Sequence, residues 1–318
     1  MSSPPPLPPL DEAAPLLPTP LSIARGERRR ANVKASVIMV TSVGALSLMD
    51  AGIKVLAARY PPVQVAALRA LSSLPLIIVW IGLTGGFRQL GQIRFGLHLL
   101  RAVLGIGMLA GFAYGVRHLP LSEAYSIFFV APLLITAFAV PFLGERVEWQ
   151  RWVAIGVGFG GVFIVLRPTG AGLVTLPGLA VLACAVGYAL SAITVRVLGR
   201  TDSTQSMVFW LMAMVGTGAG LLALPRWKPI APEHWLVLAG IAVTGTVGQW
   251  ALTEAFRTGE ASFIAPFEYT ALAWGLGLDW LFWSAIPGGR TFAGAALIIA
   301  AGIYLIRREE VHAEAEHP

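Results

Sequence analysis

The chain has 318 residues, of which 56% are hydrophobic and 13% charged, with a mean hydropathy of +0.72. Apolar runs of about 20 residues recur along it, as crossing a hydrocarbon core of roughly 30 Å requires, so a soluble fold is excluded and the bilayer is the first expected partner. The net charge of +6 is spread between those runs and forms no single patch with interleaved aromatics, which argues against nucleic acid.

Residues 1–32 open on the proline-rich tract MSSPPPLPPLDEAAPLLPTP and close on Arg25, Arg28, Arg29 and Arg30. Proline at that density removes backbone donors, so the expectation is a disordered cytoplasmic tail, with no signal peptide, whose arginines anchor the first helix. Ten spanning helices follow, at 33–57, 63–84, 95–116, 124–144, 149–167, 176–198, 205–224, 234–256, 261–285 and 290–306. Pro61-Pro62, Gly85-Gly86, Pro168 with Gly170, Pro225 to Pro232 and Pro287-Gly288-Gly289 punctuate the connections. Residues 308–318 make a second short tail.

The stretch from Glu123 to Arg167 is written twice. Its opening Glu123-Ala124 returns 137 residues later as Glu260-Ala261, and its ending VFIVLR returns 140 residues later as GIYLIR. The fold class expected is therefore an all-α integral membrane protein, ten helices in two repeats at 33–167 and 176–307. Five helices per copy is an odd number, so the second copy sits inverted relative to the first. Such inversion is the usual basis of alternating access in secondary transporters. Lysine and arginine divide 14 to 6 between the two faces, with Lys54, Arg69 and Arg101 left inside helices, which places both termini in the cytoplasm.

Charge inside a bilayer is costly, about 2.5–3.5 kcal/mol per group on insertion scales, so each buried ionisable residue needs a partner or a wet cavity. Asp50 and Lys54 lie four apart on one helical face and can neutralise each other or face a solute. Arg69 and Arg101 read as packing braces or snorkelling residues. Glu268 is the sharper candidate, because Pro266 two residues before it weakens the helix, and Pro132 stands near the same place in the first copy. Paired helix interruptions point to a transporter site. Tyr114, Tyr188, Gln249, Trp250, Tyr269 and Trp274 add interior polar and aromatic surface suited to a planar or amphipathic solute. Trp149, Trp152, Trp227 and Trp235 fall at run ends, as an interfacial belt does.

The run Gly156 to Gly161 matches the dinucleotide-binding glycine pattern, but with no strand before it the reading is helix packing, shared by Gly107/Gly111/Gly115, Gly156/Gly160 and Gly216/Gly220. The five histidines and Cys184 show no metal-ligand spacing, and no Walker loop or nucleophile elbow is legible, so no metal, cofactor or catalytic residue is expected.

GERV at 144–147 closing a helix that carries APLL, with Lys54, ALRAL around Arg69 and APFEYTALAWG at 265–275, resembles the EamA family of the drug/metabolite transporter superfamily. The resemblance spans about residues 33–308. It implies ten helices, a central cavity between the halves and transport of an amino-acid-, nucleoside-, vitamin- or opine-like metabolite across a bacterial inner membrane. A coupling proton or counter-substrate and a homodimer are compatible with it. The second hinge, Ser284-Ala285-Ile286-Pro287, lacks the Gly-Glu of the first. The alternative function is an integral-membrane enzyme acting on a lipid-linked substrate.

Overall fold

The computed structural model describes residues 20–91, 93–118, 127–166, 175–283 and, towards the end of the chain, 289, 293–294, 296–301 and 303–304. Among the described residues the regular structure is helical throughout. The helices are α1 (Pro20–Ala57), α2 (Pro62–Thr84), α3 (Phe95–His118), α4 (Ala131–Leu143), α5 (Trp149–Leu166), α6 (Leu176–Leu198), α7 (Thr204–Ala223), α8 (Trp235–Thr258), α9 (Ala261–Ile264) and α10 (Thr270–Trp283). A 3-10 stretch, Ala265–Tyr269, joins α9 to α10, and the described residues within 293–304 are helical.

The ends of these helices follow from local chemistry. Pro62 starts α2, where a missing N–H costs nothing, and Gly85 ends it at φ 68°, a left-handed turn that glycine adopts without strain. Thr175 and Ser203 cap α6 and α7, their hydroxyls accepting from the N–H groups of Gly178 and Ser206 at 3.2 Å each. α1 departs from expectation by beginning at Pro20 and not at 33, because no proline follows Pro20 until Pro61. The prolines expected to interrupt the fourth and ninth spans do so. α4 starts at Ala131-Pro132, and the ninth span tightens into its 3-10 turn at Pro266.

Among the described residues, five segments are long and apolar enough to cross a membrane: Gly26–Ala57, Pro62–Thr84, Leu176–Leu198, Thr204–Arg226 and Pro232–Thr258. Phe95–Leu109 and Ala131–Leu143 are shorter apolar helices. This is a multi-pass membrane protein.

Helix pairings come in matched sets. α1 packs on α8 as α6 packs on α3, α2 meets both α7 and α8 as α7 meets both α2 and α3, and the ninth span lies on α1 as α4 lies on α6. Exchanging the two repeats reproduces the set. Both principal interfaces are lined with glycine, because lipid supplies no hydrophobic drive and close van der Waals approach must do the holding. Across α1 and α8, a Cβ at Gly248 would lie 2.8 Å from Leu46 and one at Gly52 2.8 Å from Ile241. Across α3 and α6, a Cβ at Gly115 would clash with Val181, and one at Gly111 would come 2.7 Å from the Cys184 sulfur.

The packing rows correct part of the sequence reading. A Cβ at Gly156 or Gly160 would meet nothing within 4 Å, whereas one at Gly158 would lie 2.7 Å from the Tyr269 ring and one at Gly161 2.9 Å from the Gly294 carbonyl. The spacing of three and not four carries the contact, since which side of α5 faces inward is set by its neighbours.

Polar groups collect at two ends of the bundle. At one, Tyr60 bonds His234 at 2.9 Å, Arg59 meets Glu233 at 3.3 Å, and the Gln64 amide exchanges two bonds with the Lys228 backbone. The other end gathers the start of α1, the hinge after α4 and the ends of α6 and α8. α1 therefore starts at the face where α6 ends.

That second end also holds a buried histidine–aspartate contact. His98 Nε2 lies 2.9 Å from Asp202 Oδ2, both side chains almost wholly buried. Burial alone would raise the Asp202 carboxyl, but hydrogen bonds from Thr201, His98 and the Arg94 N–H outweigh it and hold the group below its ordinary range. A depressed folded-state value stabilises above the unfolded pKa of about 3.9, and that contribution is lost as pH falls through the lower folded value. Asp202→Asn is accordingly expected to cost about 1.5–3 kcal/mol near neutral pH. The gap between variant and parent should close in acid, as read by thermal unfolding in detergent over a pH series.

Candidate functional site

Two polar groupings lie inside the bundle, away from its ends. In the first, Tyr188 of α6 donates its hydroxyl to Glu268 Oε1 at 3.0 Å. Glu268 sits in the 3-10 stretch and is 9% exposed, and among the described residues no basic side chain lies within 4.0 Å of it. All nine residues from Ala261 to Tyr269, across the short helix and the 3-10 stretch, are buried, so this segment is enclosed on every side. Phe128 flanks Tyr188, its ring centroid 5.8 Å away.

In the second grouping, Arg69 of α2 reaches between α1 and α8. Its Nη2 donates to Gln249 Oε1 at 3.4 Å, and its Nε lies 3.1 Å from the Met49 sulfur, a weak acceptor. Asp50 is exposed beside it and is the opposite charge that acts on the guanidinium. Five donors with so few good acceptors leave Arg69 hydrogen-bonding capacity to spare. Leu252, three residues from Gln249 on α8, packs against the same apolar cluster as Tyr188 and Ala271.

The structure therefore brings Asp50 and Gln249 together around a residue that sequence reasoning treated as a brace, and brings Tyr188 to Glu268. The Lys54 side chain lies outside the described ones. Trp250 turns one helical step from Gln249 and meets Trp80 edge-on at 6.4 Å. Tyr114 meets His118 with tilted rings, centroids 4.7 Å apart, near the end of α3. Trp274 lies against α1, where a Cβ at Gly44 would come within 2.9 Å of its ring. Tyr269 is fully buried between Phe129 and Phe159, and its hydroxyl has no hydrogen-bond partner among the described residues. Arg101 does act as a brace: it is buried and donates to the Met207 carbonyl at 3.4 Å.

A polar recess of about 320 Å³ opens at the loop after α6, lined by Gln89, Thr201, Asp202, Ser203 and Arg257 among others. None of the residues of the two interior groupings lines it. Its position at the ends of α6 and α8 sets it apart from them.

The sequence matches one known family model twice, at residues 33–167 and again at 176–308. The chain belongs to the EamA-like transporter family. Among its relatives in that family, a riboflavin transporter from Vibrio cholerae is 32% identical over 78% of this chain and 84% of its own. A pseudopaline exporter, CntI, from Pseudomonas aeruginosa is 28% identical over 87% of this chain and 98% of its own. An S-adenosylmethionine uptake transporter from Rickettsia felis is 28% identical over 87% and 93%. A crystal structure of a protein 20% identical superposes with a TM-score of 0.74 over 87% of this chain and 98% of that one, which establishes a shared fold. The EamA-like relatives are transporters or exporters by name, and the membrane-enzyme alternative has no support. The protein is a small-metabolite transporter.

Proposed function

We propose that this protein carries a small organic metabolite bearing a cationic group across a bacterial inner membrane, by rocking between two inverted five-helix halves with both termini in the cytoplasm. The observation that carries the reading is Glu268, buried beside Tyr188 with no basic neighbour in salt-bridge reach among the described residues. An intramembrane carboxylate in that state is a ready partner for a solute cation or a coupling proton. Arg69 with Gln249 supplies the complementary donors for a polar or anionic group on the same solute. The paired helix interruptions at Pro132 and Pro266, and pairings that survive exchange of the repeats, support alternating access around these groups. Relatives named for uptake and for export both occur, so the fold serves either direction.

The test is counterflow in proteoliposomes with cationic, zwitterionic, neutral and anionic solutes, each with and without a pH gradient. Zwitterionic and cationic solutes are expected to exchange and purely anionic ones to fail. Arg69→Ala should weaken the zwitterionic solute about tenfold and leave a purely cationic one nearly unchanged, the loss of one charge-assisted contact being worth about 1.5–3 kcal/mol. Exchange of the anionic solute alone would overturn the assignment of Glu268.

A further inference from the structure

At the hinge after α4, Gly144 turns in the left-handed region at φ 70°, and the Gly144 and Glu145 N–H groups return to the carbonyls of Val140 and Ala139. That turn carries Glu145 out of its own repeat and onto the first residues of α9. One carboxylate oxygen accepts from the Ala261 N–H at 2.9 Å. The other accepts from the Ser262 N–H at 3.0 Å and from its hydroxyl at 2.7 Å.

The surrounding groups close the same face. Arg151 of α5 pairs with Glu260 at 2.7 Å and donates to the Ser262 hydroxyl at 2.9 Å. Asn32 of α1 accepts from the Glu260 N–H at 2.9 Å. Arg196, at the end of α6, lies 4.0 Å from Glu145 and donates to the Arg257 carbonyl at 2.8 Å, at the end of α8. Helices from both repeats are thereby tied at one point, with the Glu145 side chain 8% exposed.

Exchange of the repeats gives this device no twin. The counterpart of Glu260-Ala261 exists as Glu123-Ala124, but the counterpart of the hinge lies in a stretch with no aspartate or glutamate between Asp279 and Glu309. The hinge carboxylate that accepts from the first residues of the opposite repeat's broken span is present at one face alone. By the lysine and arginine bias, that face is the cytoplasmic one.

We propose that Glu145 is a latch that sets the resting conformation of the carrier, holding the cytoplasmic face shut, and that its bonds to Ala261 and Ser262 break and re-form in each transport cycle. The proposal rests on the alternating-access reading above. Three hydrogen bonds to one sheltered carboxyl group are the strong kind, and a ligand or mutation that removes them shifts the population towards the state open on that side.

Accessibility at Ser36 reads the latch without any solute. Ser36 is fully buried in α1, next to Ala35, which packs at Gly259 beneath the latch, and cysteine there is nearly isosteric. In a Cys184→Ser background, Ser36→Cys should react slowly with a membrane-impermeant maleimide applied from the cytoplasmic side. Adding Glu145→Ala is expected to speed labelling about tenfold or more, a shift of about 1.4 kcal/mol in population. Glu145→Gln, which keeps an acceptor oxygen and tests the charge without truncation, should give an intermediate rate. Arg59→Ala, at the opposite end, should change nothing. Matched unfolding temperatures and monodisperse elution show that the variants are folded.

Labelling in both Glu145 variants at the parent rate, or rapid labelling of the parent itself, would overturn the latch. Because no solute enters the assay, a wrong assignment of the transported metabolite shows up in counterflow and leaves this readout intact.

Discussion

Glu268→Gln is expected to lower transport at least tenfold, and up to about a hundredfold, with folding and membrane insertion unchanged. Among the described residues the carboxylate is held in the interior by a single side-chain hydrogen bond, from Tyr188 at 3.0 Å. Glutamine preserves the volume and one acceptor but removes the charge that would face a solute cation or hold a proton. A hydrogen bond to a charged group is worth about 1.5–3 kcal/mol, and each 1.4 kcal/mol is a factor of ten. Tyr188→Phe removes the donor and leaves the carboxylate, so a smaller loss of about tenfold should follow. Tyr269→Phe is the discriminating control. Its neighbouring hydroxyl is buried without a partner among the described residues, and deleting an orphaned polar group should leave transport unchanged and stability equal or higher. Initial rates in proteoliposomes of matched protein content measure all three, and parent-like rates for Glu268→Gln would remove the residue from the site.

Gly161→Ala is expected to lower the unfolding midpoint in detergent by roughly 2–10 °C, the consequence of about 1–3 kcal/mol of overpacking. The added methyl would lie 2.9 Å from the Gly294 carbonyl and 2.8 Å from Ile298. Ile298 can rotate, but a helix backbone cannot withdraw without moving its whole span. Gly156→Ala, five residues earlier on the same helix, meets nothing within 4 Å and should be neutral or stabilising by about 0.5–1 kcal/mol, since alanine restricts the unfolded chain. Nanoscale fluorimetry of the two variants side by side separates packing from helix propensity. Equal midpoints would show that α5 does not approach the last span as closely as the geometry requires.

Hydropathy, repeats and breakers are local signals, and what they govern is legible in the sequence. Lipid obliges each span to satisfy its own backbone, so apolar run lengths give the spans and Pro62, Gly85, Gly144 and Pro266 give their ends. The doubling of Glu123-Ala124 at Glu260-Ala261 gave the two-copy organisation that the family match reports, and Pro266 beside Glu268 pointed to the broken ninth span. Which side chains meet across helices was not legible. Arg69 finds Gln249 across 180 residues, and Glu145 finds Ser262 across 117. No periodicity within one helix encodes a partner on another. The same limit misled the reading of α5, where Gly156 and Gly160 fit the four-residue spacing but Gly158 and Gly161 make the contacts. The amino-acid order alone therefore determined a membrane bundle of two related halves and the position of its breaks, because the bilayer enforces those residue by residue. Tertiary packing decided which charges share an interior and which carboxylate ties the halves together, because rotation of each helix about its axis is set by its neighbours.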